Sequence, residues 1–138
     1  MESLIGCEEL WRDDRLIEER YDSGTILCIC SMDSVKTAVV LFIFRRPDTT
    51  QRVFEAIREA RPKQLFIVAD GPRSGVQGER EKCQATRHVV EKSNIDWDCE
   101  LHHNYANKNM GCKNRFVSGL EWVFEQVNEA IILEDDCL

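Results

Sequence analysis

Ala38-Val39-Val40-Leu41-Phe42-Ile43-Phe44 is an unbroken apolar run, stopped by Arg45-Arg46-Pro47. A strand with one wet face alternates apolar and polar residues. A strand buried on both faces does not, so this run reads as an interior strand of a parallel sheet. Downstream, Asp48-Thr49-Thr50 can cap a helix, along which Val53, Ile57 and Ala60 recur on one face as far as Arg61-Pro62. Gln64 to Ala69 is a second apolar strand, closed by Asp70-Gly71-Pro72. A Gly/Pro loop from Gly71 to Gly78 leads into a charged helix over Glu79 to Lys92, with Cys83, Val89 and Val90 inward.

The alternation continues. Trp97 to His102 reads as a third strand and His103 to Met110 as a polar loop. Val117, Leu120, Phe124 and Val127 then form one stripe of a long helix. Ala130 to Leu133 is a fourth short buried strand that runs into Glu134-Asp135-Asp136. Strand and helix in turn predict an α/β fold, a mostly parallel Rossmann-like sheet with flanking helices. Upstream, residues 1–36 form an N-terminal extension distinct from 37–138. Leu10, Asp14 and Ile17 give helical spacing over 7–20, Thr25 to Cys30 reads as a strand, and nothing there suggests chemistry.

The 138 residues, 43% hydrophobic and 31% charged, have the balance of one globular domain and exclude a disordered or collagen-like chain. A net charge of −7 repels nucleic acid and anionic membrane at long range, yet allows a local basic pocket for a small phosphate ligand. The start has no signal-peptide pattern, and no apolar run is long enough for a transmembrane segment. Seven cysteines without a regular framework point to reduced thiols and a cytoplasmic setting.

In open α/β sheets ligands collect outside the carboxyl ends of the strands. Arg46, Asp70 and Glu134-Asp135-Asp136 all fall at such ends, which places repeated charge at one edge of the sheet. The acidic triplet is the strongest feature. Its carboxylates repel one another, its neighbours Cys137 and Leu138 offer no cation, and hard oxygen ligands suit Mg²⁺ or Mn²⁺. A solvated acidic terminus is the plainer reading. Asp70-Gly71-Pro72 is good turn chemistry in its own right, while the Asp70 carboxylate can also accept from a base N–H of a nucleotide. Asn107 to Lys113 leads into the long helix, where Gly111 exposes backbone N–H groups toward an anion and Lys113 adds charge. Gly-rich dinucleotide and ATP loops are absent, and Cys99, His102, His103 and Cys112 lack zinc spacing.

In order, Phe44-Arg45-Arg46-Pro47-Asp48-Thr49-Thr50, Leu65 to Pro72, Asn109-Met110-Gly111-Cys112, Gly119 and Ile131-Ile132-Leu133-Glu134-Asp135-Asp136 resemble one family. It is the nucleotide-sugar-binding half of GT-A-fold glycosyltransferases, specifically the family-2-like bacterial sugar transferase group. The Glu-Asp-Asp triplet also looks like the metal motif of N-acetylglucosaminyltransferase I-type enzymes. The resemblance covers residues 37–138. It implies a donor nucleotide-diphosphate sugar, most often a UDP-sugar, with Asp70 at the base and Arg46 nearby. Glu134 and Asp135 would then lie near the ribose, Lys113 toward the nucleotide, and Asp136 on a Mn²⁺ or Mg²⁺ that bridges the diphosphate.

Transferases of this kind continue for roughly another hundred residues, which carry the acceptor site and, in inverting members, the general base. The expectation is therefore a donor-binding half from a truncated gene, with no catalytic base of its own and little transfer activity. An uncovered apolar face and an open strand edge should remain where the second half packs. The alternatives are a sugar nucleotidyltransferase, whose Gly-rich loop is missing here, and a non-catalytic remnant or interaction module.

Overall fold

The computed structural model describes residues 16–20, 26–30 and 35–137. The chain divides into two compact units, Met1–Asp33 and Ser34–Leu138. In the first, β1 (Leu16–Arg20) pairs antiparallel with β2 (Ile26–Cys30), Leu16 opposite Cys30 and Arg20 opposite Ile26. The helix expected over 7–20 is therefore wrong at its C-terminal end. The backbone groups of Leu16–Arg20 are satisfied by a neighbouring strand, and such pairing overrides a weak helical spacing. The remainder of that expected helix lies outside the described residues.

The second unit is α/β. Its elements run β3 (Ala38–Ile43), α1 (Pro47–Ala60), β4 (Gln64–Ala69), α2 (Glu79–Val89), β5 (Glu100–Tyr105), α3 (Cys112–Phe124) and β6 (Ala130–Glu134). The four strands make one all-parallel sheet in the order β5-β4-β3-β6. Every residue of β3 is buried, as its continuous apolar run predicts. Successive side chains point to opposite faces, so Val39, Leu41 and Ile43 join Leu65, Ile67 and Ala69 beneath Val53, Phe54 and Ile57 of α1. On the other face Val40 and Phe42 join Phe66, Val68 and Val123 of α3. Burying a side chain such as Phe54 or Leu41 contributes about 2–3 kcal/mol, so these two layers hold the sheet together.

Local chemistry sets the boundaries. Pro47 stands in the first turn of α1, where its missing N–H is not needed, so the helix begins ahead of Asp48-Thr49-Thr50. Thr50 is buried rather than a cap. Helix α2 ends at Val89 instead of Lys92, because Asn94 Nδ2 donates to the His88 and Val89 carbonyls and closes the last turn. The third strand also lies later than Trp97–His102. Trp97 is held from the connecting segment, its Nε1 donating to the Pro62 carbonyl at 2.9 Å and its ring packing on Phe54.

Two apolar expectations need correction. Val117 and Phe124 are 49% and 47% exposed, so the stripe chosen for the last helix is turned from its true inner face. Leu120 and Val127 pack on the sheet as expected, joined by Phe116 and Val123 in place of Val117 and Phe124. A Cβ on Gly119 would lie 2.7 Å from both Phe42 and Val68 side chains, so α3 approaches along Gly119 and its rotation follows. Strand β6 is an edge, and Ile131 and Ile132 are exposed rather than buried. Among the described residues no helix is long and apolar enough to cross a membrane.

Candidate functional site

From β3 the chain steps outward to β4 and β5, then returns to lay β6 on the other side of β3. The direction of winding therefore reverses between β3 and β6, which opens a crevice at the carboxyl ends of those strands. Arg46, just past β3, reaches into this junction. Its Nη2 donates to Asp135 Oδ1 at 2.6 Å and its Nη1 lies 2.9 Å from Asp136 Oδ2. Arg46 is thus the cation for the acidic triplet, which the triplet's sequence neighbours do not supply. Asp135 is only 3% exposed. Burial pushes its carboxyl above the usual value, an effect that Arg46 only partly offsets. Asp135 Oδ2 is buried with no hydrogen bond of regular geometry, and the Phe44 backbone N–H lies near the carboxyl.

A cavity of about 730 Å³ opens at this edge, lined among others by Arg46, Asp70, Glu134 and Asp135. Four of the six site residues expected from sequence are thus together. Asp136 is exposed and joined to them through Arg46, outside the cavity lining. Lys113 is exposed on the first turn of α3 and is not part of that lining. Gly111, with φ +79°, precedes α3 and does line it.

Asp70 is tied into the protein on both oxygens. Oδ1 accepts from the backbone N–H of Gly71 at 2.8 Å and of Met110 at 2.9 Å, and Oδ2 accepts from Asn109 Nδ2 at 3.0 Å. These bonds fasten the Asn109–Gly111 segment to the end of β4. The backbones pass so closely that a Cβ on Gly71 would lie 2.6 Å from Lys108 main-chain atoms. Arg115 is buried behind them and donates to the carbonyls of Ala69 and Asn104 and to Asn104 Oδ1. Burial draws its guanidinium below the usual arginine value.

Sequence reasoning missed the other wall. Arg45 Nη1 donates to Glu79 Oε1 at 3.0 Å, while Arg73 donates to Glu79 from its backbone N–H, Nε and Nη2 at 2.6–3.1 Å. Glu79 opens α2 and is 1% exposed. The hydrogen bonds from Arg73 hold its carboxyl down at about 2, so it is ionised. Arg45, Arg73 and Lys82 all line the cavity. Arg45 stands beside Arg46 just past β3, and that adjacency was the one available signal.

One carboxylate oxygen at the junction is left over for a further partner. Arg46 occupies one oxygen of Asp135 and one of Asp136, which leaves a buried Asp135 oxygen without a regular hydrogen bond. Among the described residues no three His, Cys, Asp or Glu side chains converge on one point. Mg²⁺ and Mn²⁺ commonly take only one or two carboxylates and complete their shell with water and ligand phosphates. Comparison of the chain with protein-family models, curated proteins and solved structures finds no match.

Proposed function

We propose that the Ser34–Leu138 unit binds a nucleotide-diphosphate sugar as the donor-binding part of a glycosyltransferase. The observation that carries this reading is the Arg46–Asp135–Asp136 cluster at the β3/β6 junction, beside a cavity with Asp70 in its lining. The junction is where an open parallel sheet accepts a nucleotide. The cavity is of the size that small-molecule ligands fill.

In this reading Asp135 and Asp136 would hold Mn²⁺ or Mg²⁺, which would supply positive charge against the departing diphosphate. Arg46 keeps the two carboxylates at one spacing and screens their repulsion. Asp70 anchors the Asn109–Gly111 segment, which turns the start of α3 and its free N–H groups toward the phosphates.

The test is calorimetric titration of the chain with UDP and Mn²⁺. Binding that Asp136→Ala abolishes or weakens at least about tenfold supports the reading. Equal affinity in the parent and the variant overturns the metal assignment. A second reading, a non-catalytic interaction module, is favoured by the exposed Ile131, Ile132, Val117 and Phe124. Concentration-dependent self-association without UDP binding would select it.

A further inference from the structure

Arg45 and Arg46 are consecutive, yet their guanidiniums go to opposite neighbours of β3. Arg46 reaches the end of β6, while Arg45 reaches Glu79 at the start of α2, the helix that follows β4. The cavity is charge-polarised as a result. At the β6 side one arginine faces three carboxylates, Glu134, Asp135 and Asp136. At the α2 side three cations, Arg45, Arg73 and Lys82, stand with the carboxylate of Glu79, and the Asp70 carboxylate, held by Gly71, Asn109 and Met110, also lines the cavity.

Glu79 fixes the geometry of that second wall. A buried carboxylate that accepts from two arginines cancels only one of their charges; it holds Arg73 through Nε and Nη2 and Arg45 through a single Nη1 contact. Arg73 still has Nη1 and Arg45 still has Nε and Nη2 outside these bonds. Lys82 lies three residues along α2, so it shares the face of Glu79, and it makes no ion pair among the described residues. Pre-placed, net-positive donors on a cavity wall form an oxyanion site that needs no metal.

We propose that Arg45, Arg73 and Lys82, braced by Glu79, form a second, metal-independent phosphate subsite in this cavity. The subsite rests on the donor reading above for the source of its phosphate, either the diphosphate of the bound nucleotide or a free phosphate ligand.

The experiment is titration of the full chain with inorganic pyrophosphate and, separately, with UDP, both in EDTA. Lys82→Ala is the main variant because its side chain is exposed and braces nothing. Arg80→Ala is the control, with the same charge change on the same helix outside the cavity lining. The proposal predicts measurable pyrophosphate binding in EDTA, weakened about tenfold by Lys82→Ala and unchanged by Arg80→Ala, the loss of one charge-assisted hydrogen bond. No binding in EDTA, or equal loss in the two variants, overturns it. A Lys82 effect on UDP as well assigns the subsite to the nucleotide, and an effect on pyrophosphate alone assigns it to a free phosphate. Metal-dependent UDP binding with no Lys82 effect removes this subsite and leaves the donor reading standing. A Lys82-dependent pyrophosphate site without UDP–Mn²⁺ binding does the reverse.

Discussion

The Arg46 guanidinium lies 2.6 Å from the Asp135 carboxylate, across the junction where β3 and β6 part. A half-exposed arginine thereby holds a buried acid at the end of β6. Breaking a fully buried pair leaves an uncompensated charge and costs about 3–5 kcal/mol. Arg46 is half in water, so Arg46→Ala should destabilise the chain by only about 1–2 kcal/mol. Asp135→Asn added to it should restore most of that loss. Urea midpoints of the single and double variants check this, and a double variant weaker than Arg46→Ala would break the pairing argument.

Asp70 should behave as an anchor of the Asn109–Gly111 segment. Asp70→Ala removes the acceptor for the Gly71 and Met110 amides and for Asn109, and should cost about 1–3 kcal/mol. Its signature is local: hydrogen exchange of the Met110 amide should accelerate before global unfolding. Unchanged exchange at Met110 would contradict the anchor.

Two glycines mark close approaches of different hardness. Gly71→Ala drives a Cβ into the Lys108 main chain, which cannot rotate away, whereas Gly119→Ala meets the Phe42 and Val68 side chains. Each should destabilise by about 1–3 kcal/mol, Gly71→Ala by more. Thermal unfolding of the two variants gives the order.

Acid stability carries a definite sign. Glu79 titrates from an ordinary 4.5 down to about 2 in the folded chain, through its hydrogen bonds to Arg73. Its contribution is fully present above pH 4.5 and is lost as pH falls through about 2. Asp135 acts oppositely: its raised carboxyl makes folding less favourable as pH rises above 3.8. Urea midpoints from pH 5 to 2 should fall more steeply in the parent than in Glu79→Gln. Parallel profiles would remove Glu79 from the account.

What sequence made legible follows from burial. β3 and β4 are buried on both faces, so their apolar runs announced them, and β4 matches its expected Gln64–Ala69 bounds. β5 is an edge strand of mixed residues, and Trp97, the brightest apolar signal nearby, belongs to the core without belonging to the strand. The face of α3 depended on Gly119, whose lack of a side chain leaves no trace in a hydrophobic stripe. Arg46, Asp70, Glu134 and Asp135 were visible because each stands at or just past a strand end. The Arg45–Glu79–Arg73 wall was not, since it joins residues 34 apart through a loop without periodicity.

The most direct measurement is the dissociation constant of the intact chain for UDP in Mn²⁺ divided by that in EDTA. Because Asp135 and Asp136 retain oxygens that Arg46 does not take, Mn²⁺ should tighten UDP by at least about tenfold, and Asp136→Ala should erase that gain. An affinity for UDP that is the same with and without Mn²⁺ would contradict the account at its centre.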